Sequence, residues 1–189
     1  MGGLRERNRL RTRQDIVDAA LDLFAERGYE ATTTDAIALT AGVSPATFFR
    51  YFATKEDVLF HDEHTAAAAL VALVRDRIDH SLTLSALEEP MVTFADSLTD
   101  GSVPQLTHLV MTTRTLEARS LRMPLRWQHD VAFQLAAERG LEHPGLTETG
   151  LAALAVTCLT SALRHWDYRS PTLGGLVHDA FLLTKEVNP

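Results

Sequence analysis

The chain has 189 residues, 46% of them hydrophobic and 23% charged, which suits one or two small folded domains with a real core and excludes a disordered chain. The net charge of −7 is unevenly spread: residues 1–55 balance at +1 and residues 56–189 at −8, with Arg5, Arg7, Arg9, Arg11 and Arg13 facing only Glu6 near the start. No run of about 18 apolar residues appears, no apolar stretch follows the first basic residues, and Cys158 is the single cysteine, so a membrane span, a secretory signal, an intrachain disulfide and a Cys-based metal cluster are all set aside.

Taken in chain order, the apolar residues recur with helical period. Ile16, Ala20, Leu23 and Phe24 form one helix face, ended at Gly28 with Arg27 in the last turn. "TTT" at 32–34 offers capping hydroxyls for a short helix holding Ile37 and Ala38, which Gly42 ends. Ser44 caps a third helix with Pro45 at its first position, and Phe48 and Phe52 at i and i+4 face inward. Thr54 caps a fourth helix expected to run from Lys55 to about Ile78, with Leu59, Ala66, Leu70 and Leu73 or Val74 along one side. Later breaks are expected at Thr99–Pro104, near Pro124, at Gly140–Gly145 and at Ser170–Pro171, and no strand with period two or internal repeat is evident. The expected fold is all-α: a small three-helix domain, joined by a long fourth helix to a larger C-terminal bundle.

The second and third helices, separated by "TAGVS", match the helix-turn-helix plan. Gly42 supplies a positive φ for the sharp turn and Val43 a small apolar packing residue. Helical period then divides "SPATFFRYFATKED" into an inward face, Phe48 and Phe52, and an outward one carrying Thr47 and Arg50. An acidic protein with one basic end commonly directs that end at a polyanion; a solvated tail is the competing reading.

"AALDLFAERGYEATTTDAIALTAGVSPATFFRYFATKEDVL", Ala19 to Leu59, resembles the N-terminal domain of the tetracycline-repressor (TetR) family of transcription regulators. The agreement runs in order through the LFxxxG end of helix 1, a Thr pair, I-A-x-x-A-G-V-S and T-F-F-x-Y-F-x-x-K-E. The resemblance implies a DNA-binding domain over residues 1–55, including the basic arm, and a ligand-binding and dimerisation domain over 56–189. It implies that Ser44, Pro45, Ala46 and Thr47 lie at the groove-facing start of the recognition helix, with Arg50 one turn later as the candidate guanine contact. Thr33 would cap the second helix against the DNA backbone; Thr34 is either a contact or a passive helix-start residue. Tyr51 and Lys55 match phosphate-touching positions, and Arg9, Arg11 and Arg13 could reach a phosphate or the minor groove. Many members carry tyrosine where Phe49 stands here, so Phe49 is expected to pack on sugar rather than donate.

Residues 147–168 read as a helix with two apolar faces. Ala152, Val156, Leu159, Leu163 and Trp166 keep a 4-3-4-3 spacing; Leu151, Leu154, Cys158 and Ala162 make a second stripe. The last helix repeats the spacing at Leu173, Leu176, Ala180, Leu183 and Val187. One stripe can pack within the chain and leave the other for a partner, unless the helix is the centre of a monomeric bundle. The resemblance adds a homodimer paired through these two helices, reading a palindromic double-stranded operator. Val156, Leu159, Leu163, Trp166, Leu176, Ala180 and Leu183 are the expected interface.

A small-molecule effector is also implied by the resemblance. On a helix expected from Val103 to Ala118, His108, Met111 and Thr115 run beside a core stripe with Arg114 nearby, and Phe94, Trp127 and Phe133 could join them around an apolar pocket. Ordinary interhelical packing explains the same residues. A hydrophobic or amphipathic compound that shifts a conformational equilibrium and releases DNA is the expected effector, with repression adopted as the family's usual sign.

Catalysis is not expected. "HDEH" at 61–64 sets His61 and His64 one turn apart without H-E-x-x-H or a third ligand, and Cys158 sits on an apolar stripe like an inert buried thiol. No cofactor or metal is expected. A protein-interaction module of the same fold is the other rival. A cytoplasmic location follows from the absence of a span or signal in this reading.

Overall fold

The computed structural model describes residues 3–99, 103–167 and 172–186, and among these every regular element is helical. The chain divides into two compact units at Asp62/Glu63.

The first unit holds four helices: α1 (Gly3–Arg27), α2 (Thr34–Thr40), α3 (Pro45–Tyr51) and α4 (Lys55–Leu59). α1 buries Ile16, Val17, Ala20, Leu23 and Phe24, so the expected face is the observed one. It stops at Gly28, whose φ of +82° is strained for any residue with a Cβ. The Thr32 hydroxyl then donates to the Gly28 carbonyl at 2.8 Å, tying the turn to the helix end it leaves. Thr33, Ser44 and Thr54 are N-caps of α2, α3 and α4, each accepting from a backbone N–H in the first turn. At Gly42, φ +68° lets the chain reverse, and the Val43 N–H returns to the Ala38 carbonyl at 2.9 Å. Phe48 and Phe52 are both buried beneath α3.

Two expectations are corrected here. α1 begins at Gly3, so the N-terminal arginines ride on the first helix rather than on an arm ahead of it. The expected single helix from Lys55 to about Ile78 is interrupted: α4 ends at Leu59 and α5 (Glu63–Arg75) begins four residues later. Local bonds and one long-range bond flank the interruption. A capping box between Thr54 and Asp57 starts α4, the His61 ring bonds the Val58 carbonyl at 2.8 Å, and the Arg13 guanidinium takes the His61 carbonyl at 2.8 Å.

The second unit comprises α5, a short 3-10 turn (Ser85–Leu87), α6 (Glu88–Ser97), α7 (Val103–Thr112), α8 (Arg114–Ser120), α9 (Arg122–Glu138), α10 (Leu146–His165) and α11 (Leu173–Glu186). The helix expected over Val103–Ala118 is thus two, parted at Thr113. The break expected near Pro124 falls at Leu121, between α8 and α9, and sets the proline in the first turn of α9, where its missing N–H leaves no bond unmade. The Ser170–Pro171 break lies outside the described residues.

The core of this unit gathers Leu70 and Val74 from α5, Met91 and Phe94 from α6, Trp127, Val131 and Leu135 from α9, and the inner faces of α10 and α11. Two polar groups are fixed inside. Arg77, 4% exposed, makes a two-pronged pair with Glu138 at 2.8 and 2.9 Å and locks the end of α5 to α9. Glu148 accepts from the Gly145 N–H at 2.8 Å and pairs with Arg139. α6 and α11 approach closely at Gly174, whose N–H donates to Asp96 at 3.2 Å; a Cβ there would clash with that carboxylate.

α10 has the length and mean hydropathy, 1.4, of a bilayer-crossing helix, a property that its interspersed Thr and Ser obscure in a search for continuous apolar runs. Its apolar residues Ala152, Val156, Leu159 and Leu163 are buried within this unit.

Candidate nucleic-acid interface

The outward surface of the first unit is organised around α3. Ser44 caps it with a doubly used hydroxyl, which accepts from the Thr47 N–H at 3.1 Å and donates to the Thr47 hydroxyl at 3.0 Å. This leaves the Thr47 O–H free to donate outward, from a half-buried position. Pro45, Ala46, Phe49 and Arg50 are exposed while Phe48 is fully buried, so the helix presents one face and anchors the other. The helix is short enough, seven residues, to enter a major groove end-on or lengthwise.

The cations around α3 differ in how free they are. The Arg50 guanidinium lies over the Tyr51 ring, 5.4 Å from its centroid, and remains exposed. Lys55 is half-buried: its ammonium donates to the Tyr29 carbonyl at 2.7 Å and the Thr32 carbonyl at 3.0 Å, and stands 4.2 Å from the Tyr29 ring centroid. That uses two of three donors, so one proton is left for an outside acceptor. The Tyr29 hydroxyl donates to Glu56. Burial pushes the Glu56 carboxyl up, but that hydrogen bond, with help from its own backbone N–H, Thr54 and Lys55, leaves it below its ordinary value.

Thr33 is exposed at the α2 cap, accepting from the Ala36 N–H at 3.2 Å, and Thr34 is half-buried as the first residue of α2. Arg9 pairs with Glu6 at 3.0 Å, and Arg11 is exposed. Arg13 is committed inside the unit, bonded to the His61 carbonyl and lying 5.7 Å from the Phe52 ring centroid. Tyr29 and Glu56 were not singled out in the sequence; an aromatic residue directly after a helix-ending glycine was the available signal.

The residues expected to line one effector wall are not brought together. Phe94 and Trp127 pack edge to face in the core, 5.4 Å apart, while His108, Arg114 and Thr115 are exposed, and the side chain of Met111 lies outside the described residues. Phe133 instead lines a groove of about 500 Å³ between α5 and α9, with His64, Arg126, His129, Asp130 and Gln134 around an alanine- and valine-rich floor. Among the described residues, no group of three or more His, Cys, Asp or Glu is arranged to hold a metal. His61 is turned to Val58 and Asp62, and burial pushes the Cys158 thiol up, away from nucleophilic character.

The stripe expected to meet a partner is also corrected. Val156, Leu159, Leu163 and Trp166 all belong to the chain's own core. The exposed large apolar residues of α10 and α11 are Leu146, Leu154, Leu182 and Leu183, with Leu176 and Ala180 half-buried beside the core. Val187 lies outside the described residues.

Comparison with known proteins bears on this surface directly. A sequence profile described as "Bacterial regulatory proteins, tetR family" matches residues 16–61. The HTH-type transcriptional regulator TcmR of Streptomyces glaucescens is 32% identical over 148 residues, covering 74% of this chain and 66% of that protein. MftR of Mycobacterium tuberculosis, named as a transcriptional regulator of mycofactocin biosynthesis, is 30% identical over 164 residues, covering 85% and 82%. Three solved structures share the fold at low identity. A TetR-family regulator from Syntrophomonas wolfei gives a TM-score of 0.71 at 17% identity, covering 95% of both chains. Thermus thermophilus FadR, a transcriptional repressor in complex with lauroyl-CoA, gives 0.59 at 19%, covering 94% and 95%. SmeT, in complex with triclosan, gives 0.65 at 20%, covering 93% and 90%.

Proposed function

The chain belongs to the tetR family of bacterial regulatory proteins and is a DNA-binding transcription regulator, not an enzyme, and from that premise we propose that it is a ligand-responsive repressor binding a palindromic operator as a homodimer. One observation carries the reading of DNA sequence. α3 is anchored by Phe48 and Phe52 while Ala46, Phe49 and Arg50 stand outward, a rigid helix face without another partner in the described unit large enough to cover it. In this reading α3 lies in the major groove, Arg50 takes a guanine edge, and Thr33, Tyr51 and the third proton of Lys55 hold phosphates. The exposed Arg9 and Arg11 add phosphate attraction that is independent of sequence.

The dimer is assigned to the outer faces of α10 and α11. Leu154 and Leu183 are 50% and 62% exposed there, with Leu176 and Ala180 beside them. A two-fold through these helices would present two copies of α3 to two half-sites, the geometry that makes an operator palindromic.

The effector is proposed to be a small hydrophobic or amphipathic compound. FadR and SmeT, of the same fold, are found with lauroyl-CoA and triclosan. The α5–α9 groove is of a size that suits such a molecule, and Phe133 and Arg126 offer it an apolar ring and a cation. Release of DNA requires only that the compound bind one conformation of the dimer more tightly than another.

The test is selection of duplexes from a random pool by the full-length protein, read by sequencing. An enriched inverted repeat is the expected result. Uniform recovery of all sequences at every salt concentration contradicts the reading.

A further inference from the structure

We propose that Phe49 is a specificity-determining residue that recognises the C5-methyl group of a thymine in each operator half-site, an inference that rests on the DNA-binding reading above. The argument begins with what α3 leaves outside. Its exposed residues are Pro45, Ala46, Phe49 and Arg50, followed by Ala53 just past the helix end. Only Arg50 among them carries a side-chain hydrogen-bond donor. The half-buried Thr47 adds one outward hydroxyl, and the rest of that face is hydrocarbon.

Phe49 dominates it. The ring is 54% exposed, and its fixed neighbour is the buried Phe48, met edge to face with centroids 5.4 Å apart and planes at 87°. Phe48 is held inside the unit together with Phe52, so the contact gives the Phe49 ring a rigid base from which to project outward. The unit's own core does not need this ring, because Phe48, Phe52 and Ile37 already fill it.

A major groove offers a helix donors, acceptors and one kind of apolar group, the thymine methyl. A ring without polar atoms cannot satisfy the acceptors of guanine or the amino group of cytosine. Placed against them, it would strip water and return nothing. Against a thymine it covers a methyl group that otherwise faces water. With Ala46 on the same face, the surface favours thymine on one side of the Arg50 contact.

The experiment uses a duplex selected by the wild-type protein. Each thymine of the half-site is replaced in turn by deoxyuridine, which removes the methyl and nothing else. Affinity is measured for wild type and for Phe49→Ala. The expected result is a loss of about fourfold at one thymine per half-site for wild type, the size set by one buried methyl group. Phe49→Ala should bind the thymine and deoxyuridine duplexes equally. The proposal is overturned if no thymine is methyl-sensitive in the wild type, or if Phe49→Ala keeps the same sensitivity. Selection of a motif without methyl sensitivity sinks this inference alone; failure to select any motif sinks the DNA reading with it.

Discussion

Lys55 closes over Tyr29: its ammonium stands 4.2 Å from the ring centroid and 2.7 Å from the carbonyl of the same residue. The first residue of α4 thereby ties down the loop between α1 and α2, and does so at the edge of the proposed phosphate surface. One side chain joins the stability of the unit to its affinity for a polyanion.

Replacing Lys55 by Met should therefore act twice. Loss of two charge-assisted hydrogen bonds is expected to lower the unfolding free energy by about 1.5–3 kcal/mol, measured by urea denaturation. Loss of the third donor should reduce the slope of log affinity against log salt by about one, measured by anisotropy titrations at several salt concentrations. A stability loss with an unchanged salt slope would remove Lys55 from the phosphate contacts.

Arg50→Ala should leave stability nearly untouched, since its guanidinium is exposed. Its expected cost is roughly 1–3 kcal/mol of discrimination between selected and random duplex, with binding to the random duplex falling far less. Competition binding with both duplexes separates these effects.

The Arg77–Glu138 pair predicts acid sensitivity. Burial pushes the Glu138 carboxyl up, but the Arg77 and Gln134 hydrogen bonds pull it further down, leaving it below its ordinary value. A carboxylate depressed in the folded state adds stability above its unfolded pKa of about 4.3, and that stability is lost as pH falls through the lower folded value. Urea midpoints should therefore drop below about pH 4.3 in wild type. In Glu138→Gln they should start lower at neutral pH and change less on acidification, because the titrating group is gone.

A charge at Leu154 or Leu183 tests the assembly. Leu154→Glu and Leu183→Glu should each shift sedimentation velocity toward a single subunit while keeping helical content, because both side chains are exposed in the protomer. Val156→Glu should instead unfold the second unit, since Val156 is fully buried. Equal effects at all three positions would contradict the assignment of faces.

Most of the first unit was legible because its signals are local. Thr33, Ser44 and Thr54 cap helices by bonds to residues three positions on, and Gly28 and Gly42 end segments through their own dihedral angles. The interruption at Phe60–Asp62 carries no glycine or proline, and a long-range bond from Arg13 to the His61 carbonyl helps hold it, so helical period ran straight through it. In α10 two apolar stripes are visible and both turn mostly inward, with Ala152, Val156, Leu159 and Leu163 of one and Cys158 and Ala162 of the other buried, because α6, α9 and α11 all pack on this helix; Leu154 is left exposed. On α11 the buried set is Leu173, Val177 and Phe181, which shares Leu173 with the expected stripe but otherwise lies beside the 4-3 spacing of Leu176, Ala180 and Leu183. The effector wall failed for the same reason: Phe94 and Trp127 found each other in the core, and no local pattern could tell that partnership from a cavity lining.

Methylation interference at guanine N7 on a selected duplex asks most directly whether α3 occupies the major groove. N7 methyl groups within each half-site are predicted to block wild-type binding, and Arg50→Ala should be indifferent at one of those guanines. Binding that tolerates N7 methylation throughout the duplex would contradict the account.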